Sequence, residues 1–183
     1  MNRTVLLLIG ITLVGTASFA SGHAHKSVPR TTAPIVEVPF TAVHLNDIFW
    51  SPRIEINRTV SIPSAFRECE KNGRFDNFAI AAGLMKGEHR GDFSFDDTDP
   101  YKVIEGASYS LAVHYDARLD HYLDSVIHLI AAAQEPDGYL TTCVTNKCKR
   151  LSGWWGSRRW EKINSHELYN SSHMIESAVA HYK

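Results

Sequence analysis

The sequence predicts an all-α fold built from helical hairpins, and three observations predict it. Apolar residues recur at helical spacing in three long stretches, around residues 100–115, 117–134 and 165–182. The stretches are separated by polar loops carrying aromatic residues, Asp and Gly rather than by strand-like alternation. The second ends at Glu135-Pro136-Asp137-Gly138, with Pro and Gly where a tight reversal needs them. Antiparallel helices joined by such loops suggest a toroid of helical hairpins.

The elements follow in order. Residues 1–24 read as a secretory signal peptide: Arg3, an apolar run from Val5 to Val14, then small residues with cleavage after Ala20 or Ala24. The run is short for a membrane span, and export makes the mature chain secreted or periplasmic. Residues 25–37 form a flexible lead-in, and Ile35 to Phe40 reads as a short strand or an extended arm. Phe49 and Trp50 precede Pro52 in a turn that anchors into something apolar. Ile56, Val60, Ile62, Phe66 and Cys69 keep helical spacing, with a break or fresh start at Pro63. A loop covers Asn72 to Phe78, and a turn Lys86 to Asp92.

The next helix starts with Asp99 as N-cap and Pro100 at the first helical position, and ends near Tyr115. Its face is Tyr101, Ile104, Ser108, Leu111, Ala112 and Tyr115. The helix from 117 to 134 buries Leu119, Tyr122, Val126, Leu129, Ile130 and Ala133. The last, from Ser165, carries Met174, Ile175, Ala178, Val179 and Tyr182, and the chain stops inside that pattern without a glycine cap. The chain therefore reads as the truncated N-terminal part of a longer helical protein, with an unpaired apolar face that favours self-association.

Composition narrows the function classes. With 44% apolar and 21% charged residues the chain can form a core, and a net charge of -1 without a basic patch argues against nucleic acid as partner. The ten histidines are scattered, and His23, His25, His44, His89, His114, His121 and His128 lack the paired spacing of a metal site. Of three cysteines, Cys143 and Cys148 share one loop and could close a small disulfide after export, while Cys69 reads as a buried apolar residue. No metal ligand and no catalytic residue is assigned.

The segment Phe93 to Lys102 crowds aromatics, Asp96, Asp97, Asp99 and Lys102 onto a helix mouth. Sugars need hydrogen-bonding groups beside flat apolar surfaces, so this mouth suits one. The plainer alternative is an acidic cap with a structural ion-pair cluster. Trp154, Trp155 and Trp160, among Arg158, Arg159 and Lys162, read either as an aromatic platform for a sugar ring or as anchors for a long loop. Glu167 reads as a brace for the first turn of its helix, and Asn57-Arg58-Thr59 and Asn170-Ser171-Ser172 are sequons.

Four ordered motifs carry a family resemblance: Leu45 to Arg53; Phe95 to Lys102 with Glu105; Gln134 to Leu140; and Ser165-His166-Glu167-Leu168-Tyr169 with His173 and Glu176 to Ala180. Together they resemble the front of glycoside hydrolase family 127, the beta-L-arabinofuranosidases, from about residue 38 to the end. The resemblance implies that 38–183 is the N-terminal part of a catalytic (α/α)6 barrel acting on an arabinose-containing glycan. It also implies a retaining mechanism with a cysteine nucleophile, and zinc held by cysteines and a glutamate in the full-length family member. None of Cys69, Cys143 or Cys148 falls in a matching motif, so those roles are expected beyond Lys183 and the fragment alone is expected to be inactive. His166 is the substrate contact that the resemblance implies; His173, Asp97, Lys102 and Trp155 are the further candidates for the sugar pocket. Two other readings stay open: a non-catalytic carbohydrate-binding fragment, and another (α/α)6 carbohydrate enzyme such as a uronyl hydrolase or lyase.

Overall fold

Gly73 sets the first corner of the fold. In the computed structural model, which describes residues 36–149 and 156–182, its φ of 70° ends one helix and opens the next. That left-handed conformation costs glycine little. Before it, α1 (Trp50–Ile56) passes through a π-helical stretch (Asn57–Ser61) into α2 (Ile62–Lys71). Pro63 does not break this run, because it lies in the first turn of α2, where its missing N–H is not needed. After it comes α3 (Arg74–Ala81), in the stretch expected to be a loop. The Asn77 N–H bonds the Gly73 carbonyl, and Phe75 and Phe78, three apart, bury a common face. That apolar pair outweighs the loop character of Asn72, Gly73 and Asp76.

Three long helices follow: α4 (Thr98–Val113), α5 (Ala117–Ala132) and α7 (Glu167–Tyr182), with the short α6 (Thr142–Thr145) between the last two. The expected cap of α4 is corrected. The helix begins at Thr98, and Asp99 sits inside the first turn, where it pairs with Arg74 Nε at 2.9 Å. Asp116 does cap α5, accepting from the N–H groups of Arg118 and Leu119. With only residues 114–116 between them, α4 and α5 make an antiparallel hairpin. No strand occurs among the described residues, and residues 36–39 are irregular before a 3-10 turn at Phe40–Ala42.

The core draws Ile62, Phe66 and Cys69 from α2, Phe75 and Phe78 from α3, and Tyr101, Ile104 and Ala107 from α4. Leu123, Val126 and Ile130 come from α5, with Ala133 just beyond it. Each large side chain buried there stabilises by about 1.5–3 kcal/mol. Two expected core positions are corrected. Tyr115 stands out in solvent, hydrogen-bonded to Asp120, and Leu123 is a fully buried member of the α5 face.

α4 and α7 pack side by side in the same sense. Lys102 meets Tyr169 near the start of both helices, and Ser108 meets His181 farther along. α7 buries Asn170, Ser177 and Ala180 toward α4 and turns Leu168, Ile175, Val179 and Tyr182 to solvent. Ile175, Val179 and Tyr182 thus lie on the open apolar face expected of this helix, while Met174, expected on the same face, packs against the core. Among the described residues no helix is long and apolar enough to cross a membrane.

Candidate functional site: the mouth of the α4–α7 pair

The loop before α4 turns Asp96 and Asp97 inward. Asp96 accepts from the Phe93 N–H at 3.1 Å and pairs with Arg74 at 3.0 Å. Gly91, at φ 111°, leaves the space: a Cβ there would lie 2.0 Å from an Asp96 oxygen. Asp97 is 2% exposed and reaches α6, accepting from the Thr142 N–H at 2.7 Å and its hydroxyl at 2.5 Å. Burial pushes its carboxyl up to about 6, although both Thr142 bonds pull the other way. Asp97 thus ties α4 to α6, and Arg74 is the cation that completes this cluster.

Glu167 is the matching bracket under α7. Its carboxylate is 2% exposed and accepts from the Tyr139 hydroxyl, from Ser165 Oγ at 2.6 Å and from the Trp160 N–H at 2.8 Å. Burial, reinforced by that bond to Glu167, holds the Tyr139 hydroxyl well above the usual phenol range. The Asn170 side chain donates to the Ser94 carbonyl at 3.0 Å and is fully buried, so its sequon lies inside the fold. Both carboxylates are consumed by backbone and hydroxyl donors.

The residues left at the open edge are of another kind. His166 has φ 58°, a left-handed conformation at the junction between the Ile163–Ser165 3-10 turn and α7. Its Nδ1 lies 2.5 Å from the Asn164 carbonyl, within hydrogen-bond reach. The ring packs on Phe95 (centroids 4.8 Å apart) and near Tyr169 (6.0 Å), and Tyr169 meets His173 edge-on at 4.5 Å. Lys102 Nζ donates to the Tyr169 hydroxyl at 2.5 Å, and Glu176 lies 2.8 Å from His173 Nδ1. Phe93, half exposed, stacks on Phe95 at 5.0 Å. Imidazole, ammonium and phenol groups thereby meet flat apolar rings on one surface, which suits a polyol.

Of the pocket residues expected from sequence, His166, His173 and Lys102 come together here, while Asp97 is turned into the structure behind them. Trp155, with Trp154, lies outside the described residues. Trp160 is edge-on to Tyr139 at 5.5 Å, and Arg159 lies over that same ring at 4.0 Å while bonding Glu135 and Asp137. This geometry favours the loop-anchor role for Trp160. Phe95 belongs to the aromatic segment expected at the helix mouth, whereas Tyr169, which meets both His166 and His173, was hidden because an aromatic in a helical pattern reads first as core.

The cysteines are placed as well. Cys143 and Cys148 are joined in a disulfide, and Cys69 is buried, its thiol pushed up to about 11 mainly by burial. His89 sits beside the disulfide, its ring nitrogen within 4.8 Å of both sulfurs. Burial drives that ring down to about 4, so it is neutral at neutral pH. Nothing in the sequence spacing pointed to this neighbour.

A family model described as beta-L-arabinofuranosidase, GH127 catalytic domain, matches residues 42–183. The chain belongs to that family. The GH127 chain is 40% identical over 133 residues to a non-reducing end beta-L-arabinofuranosidase of Bifidobacterium longum subsp. longum, covering 70% of this chain and 20% of the relative. A solved GH127 beta-arabinofuranosidase superposes with a TM-score of 0.72 at 51% identity, covering 79% of this chain and 23% of that one. A GH127 beta-L-arabinofuranosidase from Geobacillus stearothermophilus T6 gives 0.69 at 35% identity, covering 76% and 22%. The helical hairpins are thus those of the GH127 (α/α)6-type fold, and the chain spans between a fifth and a quarter of the length of these relatives.

Proposed function

We propose that this chain supplies part of the sugar-holding wall of an exported beta-L-arabinofuranosidase. One observation carries the reading: Phe95, Lys102, His166, Tyr169 and His173 converge on one open edge from two separate helix mouths. A furanose presents hydroxyls around its rim and C–H bonds on its faces. The His166 imidazole bonds a hydroxyl, Lys102 donates to one, and the rings of Phe93 and Phe95 cover a face. The sugar is held by several modest contacts, none of which transfers a proton or a glycosyl group.

The reaction that the family resemblance implies is retaining, with a cysteine nucleophile and a zinc ion held by cysteines and a glutamate. The cysteines of this chain do not fit that catalytic centre, which needs a free thiolate nucleophile and a glutamate among the zinc ligands. Cys69 is shut in the core with its thiol proton firmly held, and Cys143 is bonded to Cys148 beside an imidazole rather than a glutamate. Glycoside hydrolysis needs two carboxyl groups, or a nucleophile and an acid, flanking one bond. Asp97 and Glu167, the most buried carboxylates of the mouth, are committed to Thr142 and to Tyr139, Ser165 and Trp160. The chain on its own binds and does not hydrolyse.

Calorimetric titration with methyl beta-L-arabinofuranoside tests this. Binding that weakens at least tenfold in His166→Ala is expected, with no nitrophenol released from a nitrophenyl beta-L-arabinofuranoside. Binding equal in wild type and variant, or turnover by the chain alone, overturns the reading.

A further inference from the structure

Cys143 and Cys148 lie at the two ends of a tight loop that the backbone holds closed. The Cys148 N–H bonds the Cys143 carbonyl at 2.8 Å, Asn146 N–H bonds the Thr142 carbonyl at 2.8 Å, and the two Cα atoms are 4.9 Å apart. These bonds do not depend on the disulfide, so the sulfurs stay neighbours when it is opened. Cys143 is almost fully buried and Cys148 partly so.

His89 completes the group from a different part of the chain, and one residue positions both sides. Asn77, itself fully buried, donates to the Arg90 carbonyl at 2.7 Å and accepts the Arg90 N–H at 2.8 Å, which fixes the backbone next to His89. Its amide nitrogen also lies 3.5 Å from His89 Nε2. The Asn77 carbonyl receives Asn146 Nδ2 at 2.8 Å, from inside the cysteine loop. His89 Nδ1 is buried and has no hydrogen-bond partner among the described residues. Leaving a buried polar nitrogen unpaired is costly, and such a group in a native fold calls for a reason.

We propose that Cys143, Cys148 and His89 form a redox-gated site for a thiophilic divalent cation of the zinc class. In the oxidised chain the loop is closed by the disulfide. A dithiol reductant opens it by giving two electrons and two protons, becoming a disulfide itself and leaving two thiols. The cation then displaces both thiol protons, binds two thiolates and takes the lone pair of a neutral His89 nitrogen, with a water completing the tetrahedron. Bonds of about 2.3 Å to sulfur and about 2.0–2.1 Å to nitrogen put donors roughly 3.3–3.8 Å apart. The three donor atoms already lie within 4.8 Å of one another, so a small closure suffices. Two thiolates neutralise the cation's charge, which keeps the half-buried site free of net charge. In either state the loop is stapled, and with it the Thr142 latch that holds Asp97.

Cobalt(II) is the probe. The full chain is reduced with a phosphine, which leaves as its oxide with oxygen from water, and titrated with cobalt(II) beside an oxidised sample. One cobalt per reduced chain with a thiolate-to-metal charge-transfer band is expected, and none in the oxidised chain. Cys143→Ser abolishes the band, His89→Gln weakens binding at least tenfold, and His121→Ala, on the exposed face of α5, leaves it unchanged. Should a variant fail to fold, wild type alone decides: zinc slows iodoacetamide alkylation of Cys143 and Cys148, mapped by peptide mass, relative to Cys69. Equal affinity in folded His89→Gln, or no metal protection of the two thiols, overturns the proposal.

Discussion

The brackets behind the α4–α7 mouth and the edge in front of it are built from neighbouring residues with opposite fates. Glu167 directly follows His166, and Asp97 precedes Lys102 by little more than one helical turn. The two carboxylates are buried and each accepts two or three donors, whereas Lys102 and Tyr169 are exposed and His166 is half-buried. The difference shows that acidity at a helix mouth is no guide to catalysis. Here the acids hold the frame, and the imidazoles, the ammonium and the phenol line the edge.

The largest effect expected from breaking this contrast is at Glu167. Glu167→Ala orphans a buried tyrosine hydroxyl, a serine hydroxyl and a backbone N–H, and should cost about 3–5 kcal/mol, read as a collapsed or lost cooperative melt. Glu167→Gln keeps an acceptor and should cost clearly less. Asp97→Ala strands the two Thr142 donors and should cost about 2–4 kcal/mol in urea unfolding.

Asp97 also has a pH signature. Burial pushes its carboxyl up to about 6 in the folded chain, above the 3.8 of a solvated aspartate, so the folded state holds the proton more tightly. Its contribution is full below pH 3.8 and lost as pH rises through 6, a change on the order of 3 kcal/mol. The difference between wild type and Asp97→Asn, followed by urea unfolding at a series of pH values, should therefore fall between these limits. A flat difference would mean that the carboxyl is not desolvated. At the edge the effects on stability are small. His166→Ala and Lys102→Met should each change stability by less than about 1 kcal/mol while weakening sugar binding, as paired melts and titrations would check.

The frame was more legible in the sequence than the edge. The three long helices follow from apolar spacing that local physics enforces, and the family motifs fixed their order. α3 was hidden because Gly73, Asp76 and Asn77 are loop formers by type, and only the burial of Phe75 and Phe78 against other helices overrides them. α6 was hidden because four residues carry no period; its stability comes from Asp97, far away in sequence. The inward turn of Asp97 could not be read for the same reason. The Cys143–Cys148 bond is the disulfide that their shared loop suggested. The meeting of His89 with those sulfurs depends on Asn77 bridging two loops, a long-range fact without a local trace.

The contrast between bracket and edge is tested most directly by nuclear magnetic resonance on the chain titrated with methyl beta-L-arabinofuranoside. The ring signals of His166 and His173 should shift in a saturable way, while the carboxyl signals of Asp97 and Glu167 stay in place. Saturable shifts at either carboxyl, or two imidazoles that do not respond to the sugar, would contradict it.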